Sequence, residues 1–128
     1  MRFLTAEWVD ALDAALDAAH DVAEATRGIE LVVQQEIHFA PEGDSAFHMS
    51  FQRGRVSARH GRHAEPDICF SQDYDTAVAI ATGRLSAQTA FLQHRLRVQG
   101  DVVRLLEYQG ALARVADVFA QLRENTEY

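Results

Sequence analysis

The stretch IELVVQQEIHFAPEGDSAFHMSFQRGRVSARH, residues 29–60, decides the fold because its apolar residues recur at every second position. A two-residue period is typical of strands with one buried face. Two turn signals, PEGD at residues 41–44 and RG at residues 53–54, divide the stretch into three segments. The sequence therefore predicts three antiparallel strands joined by two hairpins.

The register of these hairpins is predicted by placing the largest apolar residues opposite one another. In the first hairpin, the predicted pairs are Phe39 with Phe47, Ile37 with Met49, and His38 with His48. In the second hairpin, they are Phe51 with Val56 and Met49 with Ala58. Both hairpins then bury the same face, and the even-numbered residues of the first two strands lie on the exposed face.

Helical patterns lie on both sides of this meander. Residues 5–26 predict one long amphipathic helix that is capped by Thr5 and ends near Gly28. Its predicted apolar face consists of Trp8, Val9, Leu12, Leu16, Ala19 and Ala23. Its opposite face is acidic, with Asp10, Asp13, Asp17, Asp21 and Glu24. This acidic stripe indicates a solvated face or, as the alternative, a surface that binds a partner protein.

The second half of the chain predicts a fourth strand at residues 67–71 and a fifth at residues 95–99. Two short helices lie between them; Ser71 or Asp73 caps the first, and Ser86 caps the second. Asp101 caps a C-terminal helical region that we expect to break or kink at Gly110. The element order predicts an α+β fold, with a five-stranded, mostly antiparallel sheet covered by helices on one face. The length of 128 residues predicts a single domain over residues 1–128.

The composition argues against several classes of function. The net charge is −7, which argues against nucleic acid as a partner and against electrostatic anchoring to anionic lipid, so we expect at most transient membrane contact. Cys69 is the single cysteine, so no internal disulfide forms, in keeping with a cytoplasmic protein. No secretory signal is expected at the N-terminus, and no apolar run approaches the ~18 residues that a membrane-spanning helix needs.

The candidate reactive groups favour no catalytic or metal site. His60 and His63 have a ligand-like spacing, but no third ligand can be placed beside them. Cys69 is expected to be a small half-buried residue, not a nucleophile, and no nucleophile-elbow motif is present. We therefore expect no enzyme activity, no metal and no cofactor. One basic cluster consists of Arg53, Arg55, Arg59, Arg62, His60 and His63. It is either a solvated edge or a docking patch for an acidic partner protein, an acyl-CoA phosphate or a membrane surface.

Residues 67–106, DICFSQDYDTAVAIATGRLSAQTAFLQHRLRVQGDVVRLL, resemble the type 2 sterol carrier protein family, also called nonspecific lipid-transfer proteins. The resemblance lies in the ordered elements ATGRL (81–85), AFLQ (90–93), RLRV (95–98) and GD (100–101). It implies an apolar cavity between sheet and helices that holds a sterol, a fatty acid or an acyl-CoA, and it implies no catalysis. The family often has glycine where this chain has His94, and the larger side chain would narrow or re-aim the local opening.

Strand parity and helix face select the predicted ligand-binding residues: Met49, Phe51, Leu85, Phe91, Leu92, Leu105 and Leu106, with Gln88 as a polar contact. Reversible burial of an apolar ligand among such residues needs no charged partner. The predicted function is lipid binding or carriage. The alternative is an accessory protein of the same fold that presents a lipid-like intermediate to a partner enzyme through the acidic face of its first helix.

Overall fold

The fold, described over residues 1–128 by a computed structural model, contains five strands and six α-helices. The strands are β1 (Glu30–His38), β2 (Ser45–Gln52), β3 (Arg55–His60), β4 (Ile68–Asp73) and β5 (Leu96–Gly100). The helices are α1 (Ala6–Ala18), α2 (His20–Ala25), α3 (Tyr74–Ala81), α4 (Ala87–Leu92), α5 (Val102–Glu107) and α6 (Gln109–Gln121). A 3-10 turn, Arg123–Asn125, follows the last helix.

All five strands belong to one sheet, in the order β3-β2-β1-β4-β5. The β1–β4 pair is parallel, and the other three pairs are antiparallel. The parallel pair arises because the chain leaves the edge strand β3 and crosses to the far side of β1. The predicted α+β class and the five-stranded, mostly antiparallel sheet are thus confirmed.

The register of the second hairpin is confirmed, and that of the first is wrong. Phe51 pairs with Val56 and Met49 with Ala58, as predicted. In the first hairpin, however, Phe47 lies opposite Gln35 and not Phe39. The error of four residues is even, so the faces of β1 and β2 were still assigned correctly. The same shift places Gln34 opposite His48, so His38 and His48 are not cross-strand neighbours.

Strand β1 ends at His38, and Phe39 follows it without joining the buried face. Its φ is 60°, in the left-handed region, and its side chain is 85% exposed. The Asp44 carboxylate accepts a hydrogen bond from the Phe39 backbone N–H at 3.1 Å, which closes the connection between β1 and β2. The predicted inward position of Phe39 is therefore wrong, because the turn that Asp44 closes ends the strand before the alternating pattern ends.

One face of the sheet and the helices share a core of 22 buried residues. Trp8 of α1 lies within it, with ring centroids 4.9 Å from Phe3, 5.7 Å from Phe47 and 5.9 Å from Phe119. Burial of each large apolar side chain of this kind contributes about 1.5–3 kcal/mol. The Thr5 cap is confirmed, since its side chain accepts the Trp8 N–H at 3.2 Å.

The predicted single N-terminal helix is in fact two helices. Ala19 is extended, with φ −87° and ψ 99°, and separates α1 from α2. The change of direction leaves Ala23 exposed but buries Val22 completely. The second hairpin meets the end of α2, because Gly54 donates its backbone N–H to the Thr26 carbonyl at 3.0 Å. The helical region therefore ends close to the predicted residue, but the prediction of one continuous helix is wrong.

The C-terminal helical region breaks at Tyr108 and not at Gly110. Gly110 lies inside α6, and a Cβ atom at this position would meet no other part of the fold within 4 Å. Helix α6 buries Ala111, Val115 and Val118 in the core, whereas α5 buries no residue. The break at Tyr108 therefore separates a helix that belongs to the core from one that lies on the surface. No helix in the fold is long and apolar enough to cross a membrane.

Candidate functional site

The structure divides the predicted ligand-binding residues between the core and the surface. Met49 and Phe51, on β2, are fully packed, with exposures of 4% and 1%. Leu85 and Leu105 are half-buried, and Leu105 packs against the core. The remaining four are exposed: Gln88, Phe91, Leu92 and Leu106. The eight residues therefore do not form one continuous lining.

The exposed members lie on a surface that the sequence predicted only in part. Phe91 and Leu92 on α4 are 52% and 75% exposed, and Leu106 on α5 is 60% exposed. Val102 and Val103, which were not predicted, add to it at 44% and 66%. We call these five residues the α4–α5 apolar surface. The sequence does contain a signal for Val102 and Val103, since the two valines follow the Asp101 cap directly. Only Leu105 and Leu106 of this helix were predicted.

Local caps and one arginine position these two helices. The Ser86 hydroxyl accepts the Thr89 N–H at 3.1 Å at the start of α4, and Asp101 accepts the Arg104 N–H at 3.2 Å at the start of α5. Both caps were predicted. The Arg104 guanidinium ties α5 to the sheet, since it donates to the Glu30 carbonyl and lies 3.5 Å from the Asp67 carboxylate. Few buried contacts hold α4 and α5, which is typical of segments that open locally.

Gly100 places α5 close to the strand edge. Its φ is 109°, and a Cβ atom at this position would collide with the Asp67 carbonyl oxygen. The Asp101 N–H also donates to that oxygen at 3.0 Å. Glycine is required here because the backbone must approach the start of β4 in a left-handed conformation. Gly100 thus ends β5, and the Asp101 cap of α5 follows it directly.

The backbone conformation of His94 explains why the family often has glycine at this position. Its φ is 61°, a region in which glycine has no steric cost and a larger residue is strained. The side chain is exposed and lines a depression at the end of the sheet. That depression includes neither Met49 nor Phe51, beside which the predicted cavity would lie.

Two surface depressions lie at the end of the sheet where β1 and β4 finish, and neither contains a predicted ligand-binding residue. The first, of about 450 Å³, lies between the chain termini, residues 40–45 and Tyr74. The second, of about 330 Å³, lies at the end of β1 and β4 and the start of β5. It is lined by His38, Phe39, Asp44, Ser71, Gln72, Asp73, His94, Arg95 and Arg97. The apolar cavity between sheet and helices is neither of these two and stays a prediction.

The face of the sheet opposite the core carries a connected polar network. Gln34 was predicted to be exposed, but it is only 4% exposed because the segment after β3 covers it. The His63 backbone N–H donates to Gln34 Oε1 at 2.7 Å, and Gln34 Nε2 donates to Glu36 Oε2 at 2.8 Å. No sequence signal indicated this cover, because a loop contact of this kind has no periodic pattern.

Glu36 and Cys69 determine each other's protonation in this network. Cys69 Sγ donates to Glu36 Oε2 at 3.2 Å, and this hydrogen bond is the main cause that lowers the pKa of the Glu36 carboxyl. Burial, followed by the same carboxylate, raises the pKa of the Cys69 thiol to about 11. A thiol with such a pKa is a poor nucleophile near neutral pH. The structure thus supports a half-buried, unreactive Cys69.

The histidines form no metal site, and the arginines of the basic cluster are partly paired. His48 and His63 lie with ring centroids 5.2 Å apart, and no group of three or more His, Cys, Asp or Glu side chains is arranged to hold a metal ion. In the basic cluster, Arg53 pairs with Glu30 at 3.1 Å and Arg62 with Glu36 at 3.5 Å. Two of its four arginines are thus already paired with carboxylates of β1.

The fold defines a class of small α+β domains in which helices cover one face of a single sheet. In this class, two short helices with few buried contacts flank the edge strand. The family model for the SCP-2 sterol transfer family matches residues 11–113. The chain belongs to this family. A comparison with curated protein sequences finds no match.

Solved structures share the fold at low sequence identity. A Thermus thermophilus protein, described as possibly a sterol carrier protein, has a TM-score of 0.80 at 20% identity, covering 94% of this chain and 89% of that one. A crystal structure of sterol carrier protein 2 has a TM-score of 0.77 at 21% identity, with coverage of 92% and 97%. Palmitated SCP2L2 from Aedes aegypti has a TM-score of 0.59 at 20% identity, with coverage of 87% and 89%.

Proposed function

We propose that this protein binds an apolar lipid reversibly and carries it in the cytoplasm, with α4 and α5 as the elements that admit and cover the ligand. The observation that carries this proposal is the α4–α5 apolar surface. Five large apolar side chains lie exposed on the two short helices that precede and follow the edge strand β5. Within each helix these side chains are adjacent in sequence or one helical turn apart, and exposed apolar groups grouped locally in this way are typical of ligand-binding or interaction surfaces.

The chemistry of the surface and the family both support an apolar lipid as the ligand class. Burial of a methylene group contributes about 0.8 kcal/mol, so a long acyl chain or a sterol ring system binds without a charged partner. The family is named for sterol transfer, and one of the structurally similar proteins carries a palmitate. We propose sterols, fatty acids or acyl-CoA as ligands. Carriage of this kind is binding and release, without a covalent step.

The motion that admits the ligand is a displacement of α5. This helix packs against α6 but buries none of its residues, and Arg104 holds its first turn to the sheet. A helix of six residues has little stability of its own, so its position depends on these few contacts. A ligand that contacts Val103 and Leu106 would then replace solvent as the cover of their side chains.

The experiment measures binding of a fluorescent fatty acid and of a fluorescent sterol to the wild-type protein, Leu106→Glu and Phe91→Glu. We expect both substitutions to weaken binding by about tenfold or more, since each removes apolar contact and adds a charge. Phe39→Glu is the matched control, because Phe39 is 85% exposed but lies outside the α4–α5 apolar surface. Wild-type affinity in both the α4 and the α5 variant would refute the proposed site.

The alternative function, presentation of a lipid-like intermediate to a partner enzyme, is favoured by the acidic face of α1 and α2. Asp10, Asp17, Asp21 and Glu24 are exposed on it. Asp13 is not available, because its carboxylate accepts the Ala58 N–H at 2.8 Å. If Asp17→Arg with Asp21→Arg abolished the stimulation of a lipid-processing enzyme but left lipid affinity unchanged, this alternative would replace simple carriage.

A further inference from the structure

Three side chains at the end of the sheet form a hydrogen-bonded chain of the type Asp–His–Ser. Asp44 Oδ2 lies 3.1 Å from His38 Nδ1, and His38 Nε2 lies 3.0 Å from the Ser71 hydroxyl oxygen. In hydrolases that use a serine nucleophile, a base within this distance of the hydroxyl is oriented by a carboxylate on its other ring nitrogen. The arrangement here has the same order and similar heavy-atom distances.

The fold fixes each member of this chain from a different element. His38 is the last residue of β1, and Ser71 lies on the neighbouring parallel strand β4. Asp44 belongs to the connection after β1, where its second oxygen accepts the Phe39 N–H at 3.1 Å. The left-handed conformation of Phe39 turns the chain so that Asp44 returns to His38. The hydrogen bond from His38 is the main cause that lowers the pKa of Asp44.

The hydrogen bonds assign the protons. An ionised Asp44 carboxylate can only accept, so His38 Nδ1 carries a proton and donates a hydrogen bond to Asp44. His38 Nε2 is then unprotonated in the neutral ring and accepts from the Ser71 hydroxyl. This is the tautomer in which an imidazole can remove a proton from serine.

The second depression, of about 330 Å³, opens beside Ser71, and its lining contains basic side chains as well as the carboxylates of Asp44 and Asp73. Arg97 is the cross-strand neighbour of Ser71 on β5 and lines the depression together with Arg95 and His94. Neither Arg95 nor Arg97 takes part in any of the ion pairs of the structure. Glu36, the other cross-strand neighbour of Ser71, directs its carboxylate into the polar network instead.

We propose that Ser71, His38 and Asp44 form an acyl-transfer site that hydrolyses carboxylic esters bearing an anionic group. Ser71 Oγ attacks the ester carbonyl carbon while its proton passes to His38 Nε2. The ester C–O bond then breaks, the alcohol leaves with that proton, and an acyl-Ser71 remains. Water attacks the acyl group in the second half, and one of its protons passes through His38 to Ser71 Oγ, which releases the carboxylic acid and the free serine.

The basic residues have two roles in this reaction. Arg97, the cross-strand neighbour of Ser71, supplies the guanidinium that stabilises the negative charge on the carbonyl oxygen in the tetrahedral intermediate. Arg95, whose Nε donates to the Thr76 hydroxyl at 3.2 Å, and His94 bind the anionic group of the substrate at the wall of the depression. This site lies at the end of the sheet and shares no residue with the α4–α5 apolar surface. It goes beyond lipid carriage and departs from the expectation of no catalysis.

The test measures hydrolysis of 4-nitrophenyl acetate and labelling by a fluorophosphonate, a reagent that modifies activated serines. We expect wild-type protein to turn over the ester and to gain one label, located at Ser71 by peptide mass spectrometry. Ser71→Ala should lose the label and lower kcat/KM on the order of 100-fold. His38→Ala should lower both activity and labelling rate by a similar factor. Circular dichroism verifies that each variant is folded.

His48→Ala is the matched control, because His48 lies on the same face of the sheet but bonds to the Gly61 carbonyl at 3.0 Å. Its activity should equal that of the wild type. Hydrolysis that persists in Ser71→Ala would show simple imidazole catalysis and overturn the proposal, as would labelling at another serine. Lipid binding measured on the same Ser71→Ala protein should be unchanged, so the failure of one proposal is distinguishable from the failure of the other.

The substrate class is tested with 4-acetoxybenzoate and its neutral methyl ester, which differ in the anionic group alone. We expect a preference in kcat/KM for the anion of about tenfold in the wild type, and no preference in Arg95→Gln with His94→Gln. An equal preference in both proteins would remove the assigned role of these two residues.

Discussion

At the scale of the residue, four non-glycine positions with positive φ mark where the chain departs from its regular pattern. They are Leu4, Phe39, Arg53 and His94. Arg53 and Gly54, with φ of 51° and 97°, form the tight second hairpin, which matches the positive φ values of the favoured two-residue turn. Phe39 and His94 both line the second depression, so strain and the proposed acyl-transfer site coincide there.

Substitution of His94 by glycine should stabilise the protein by about 1 kcal/mol. The left-handed conformation costs a non-glycine residue about 1–3 kcal/mol, and glycine removes this cost. Glycine also loses more conformational freedom on folding, which offsets about 0.5–1 kcal/mol of that stabilisation. Urea denaturation of His94→Gly measures the change. His60→Gly is the control, because His60 is an exposed residue at the end of β3 without positive φ, and glycine there should destabilise. A loss of stability in His94→Gly would contradict the backbone argument.

Cys69 should react slowly with a thiol reagent such as Ellman's reagent at pH 8. Its pKa is raised from 9.0 to about 11, so the reactive thiolate is roughly 100-fold scarcer than in the unfolded chain. The ratio of the rates in buffer and in denaturant measures this difference. Glu36→Gln should accelerate the native reaction, since the carboxylate that disfavours the thiolate is removed. Equal native and denatured rates would refute the account of the network.

At the scale of the element, short helices depend on their caps. Helix α3 has eight residues and begins after Asp73, whose carboxylate accepts the Thr76 N–H at 2.7 Å. This backbone hydrogen bond is the main cause that lowers the pKa of Asp73. The cap was one of two predicted from the sequence, the other being Ser71. Ser71 lies two residues earlier, inside β4, and its hydroxyl bonds to His38 instead.

Asp73→Ala should cost about 1 kcal/mol at pH 7, the usual effect of losing a helix cap. Because the pKa of Asp73 is lower in the folded state, its charge stabilises the fold above its unfolded pKa, near 3.8, and the contribution is lost as pH falls below that value. The difference between wild type and Asp73→Asn should therefore shrink below about pH 4. Thermal denaturation between pH 2 and 7 measures it. Asp75→Ala, in the same helical turn without a cap bond, should change stability less.

At the scale of the whole molecule, one core joins the sheet to α1, α2, α3 and α6. Its 22 buried residues form a single cluster that includes residues from Phe3 to Leu122. Helices α4 and α5 lie beside this core with little burial of their own. The molecule thus combines a packed part with a loosely held part, an arrangement that suits ligand entry without unfolding of the core.

Unfolding should follow one transition, as expected if residues 1–128 are one domain. Trp8 is the only tryptophan and is 1% exposed, so its fluorescence reports on the core. We expect its emission and the far-ultraviolet circular dichroism to change with the same midpoint in urea. Separate midpoints would show that part of the chain unfolds independently and would contradict a single domain.

The sequence by itself determined most of the elements and the buried faces of the strands. Alternation in residues 29–60 identified β1, β2 and β3, and the buried side of β2 was correct even though the first hairpin's register was wrong. Caps at Thr5, Ser86 and Asp101 were correct because a cap depends on residues three positions apart. Such features are local, so the residue types and their spacing are sufficient to predict them.

Only the tertiary structure decided which residues meet across the chain. The exposure of Val103 and Leu106 depends on α5 being held by Arg104 while α6 enters the core. The contact between His38 and Ser71, which are 33 positions apart, requires the parallel pairing of β1 and β4. No periodicity records a contact between distant segments, because it results from how the whole chain packs and not from local conformational preference.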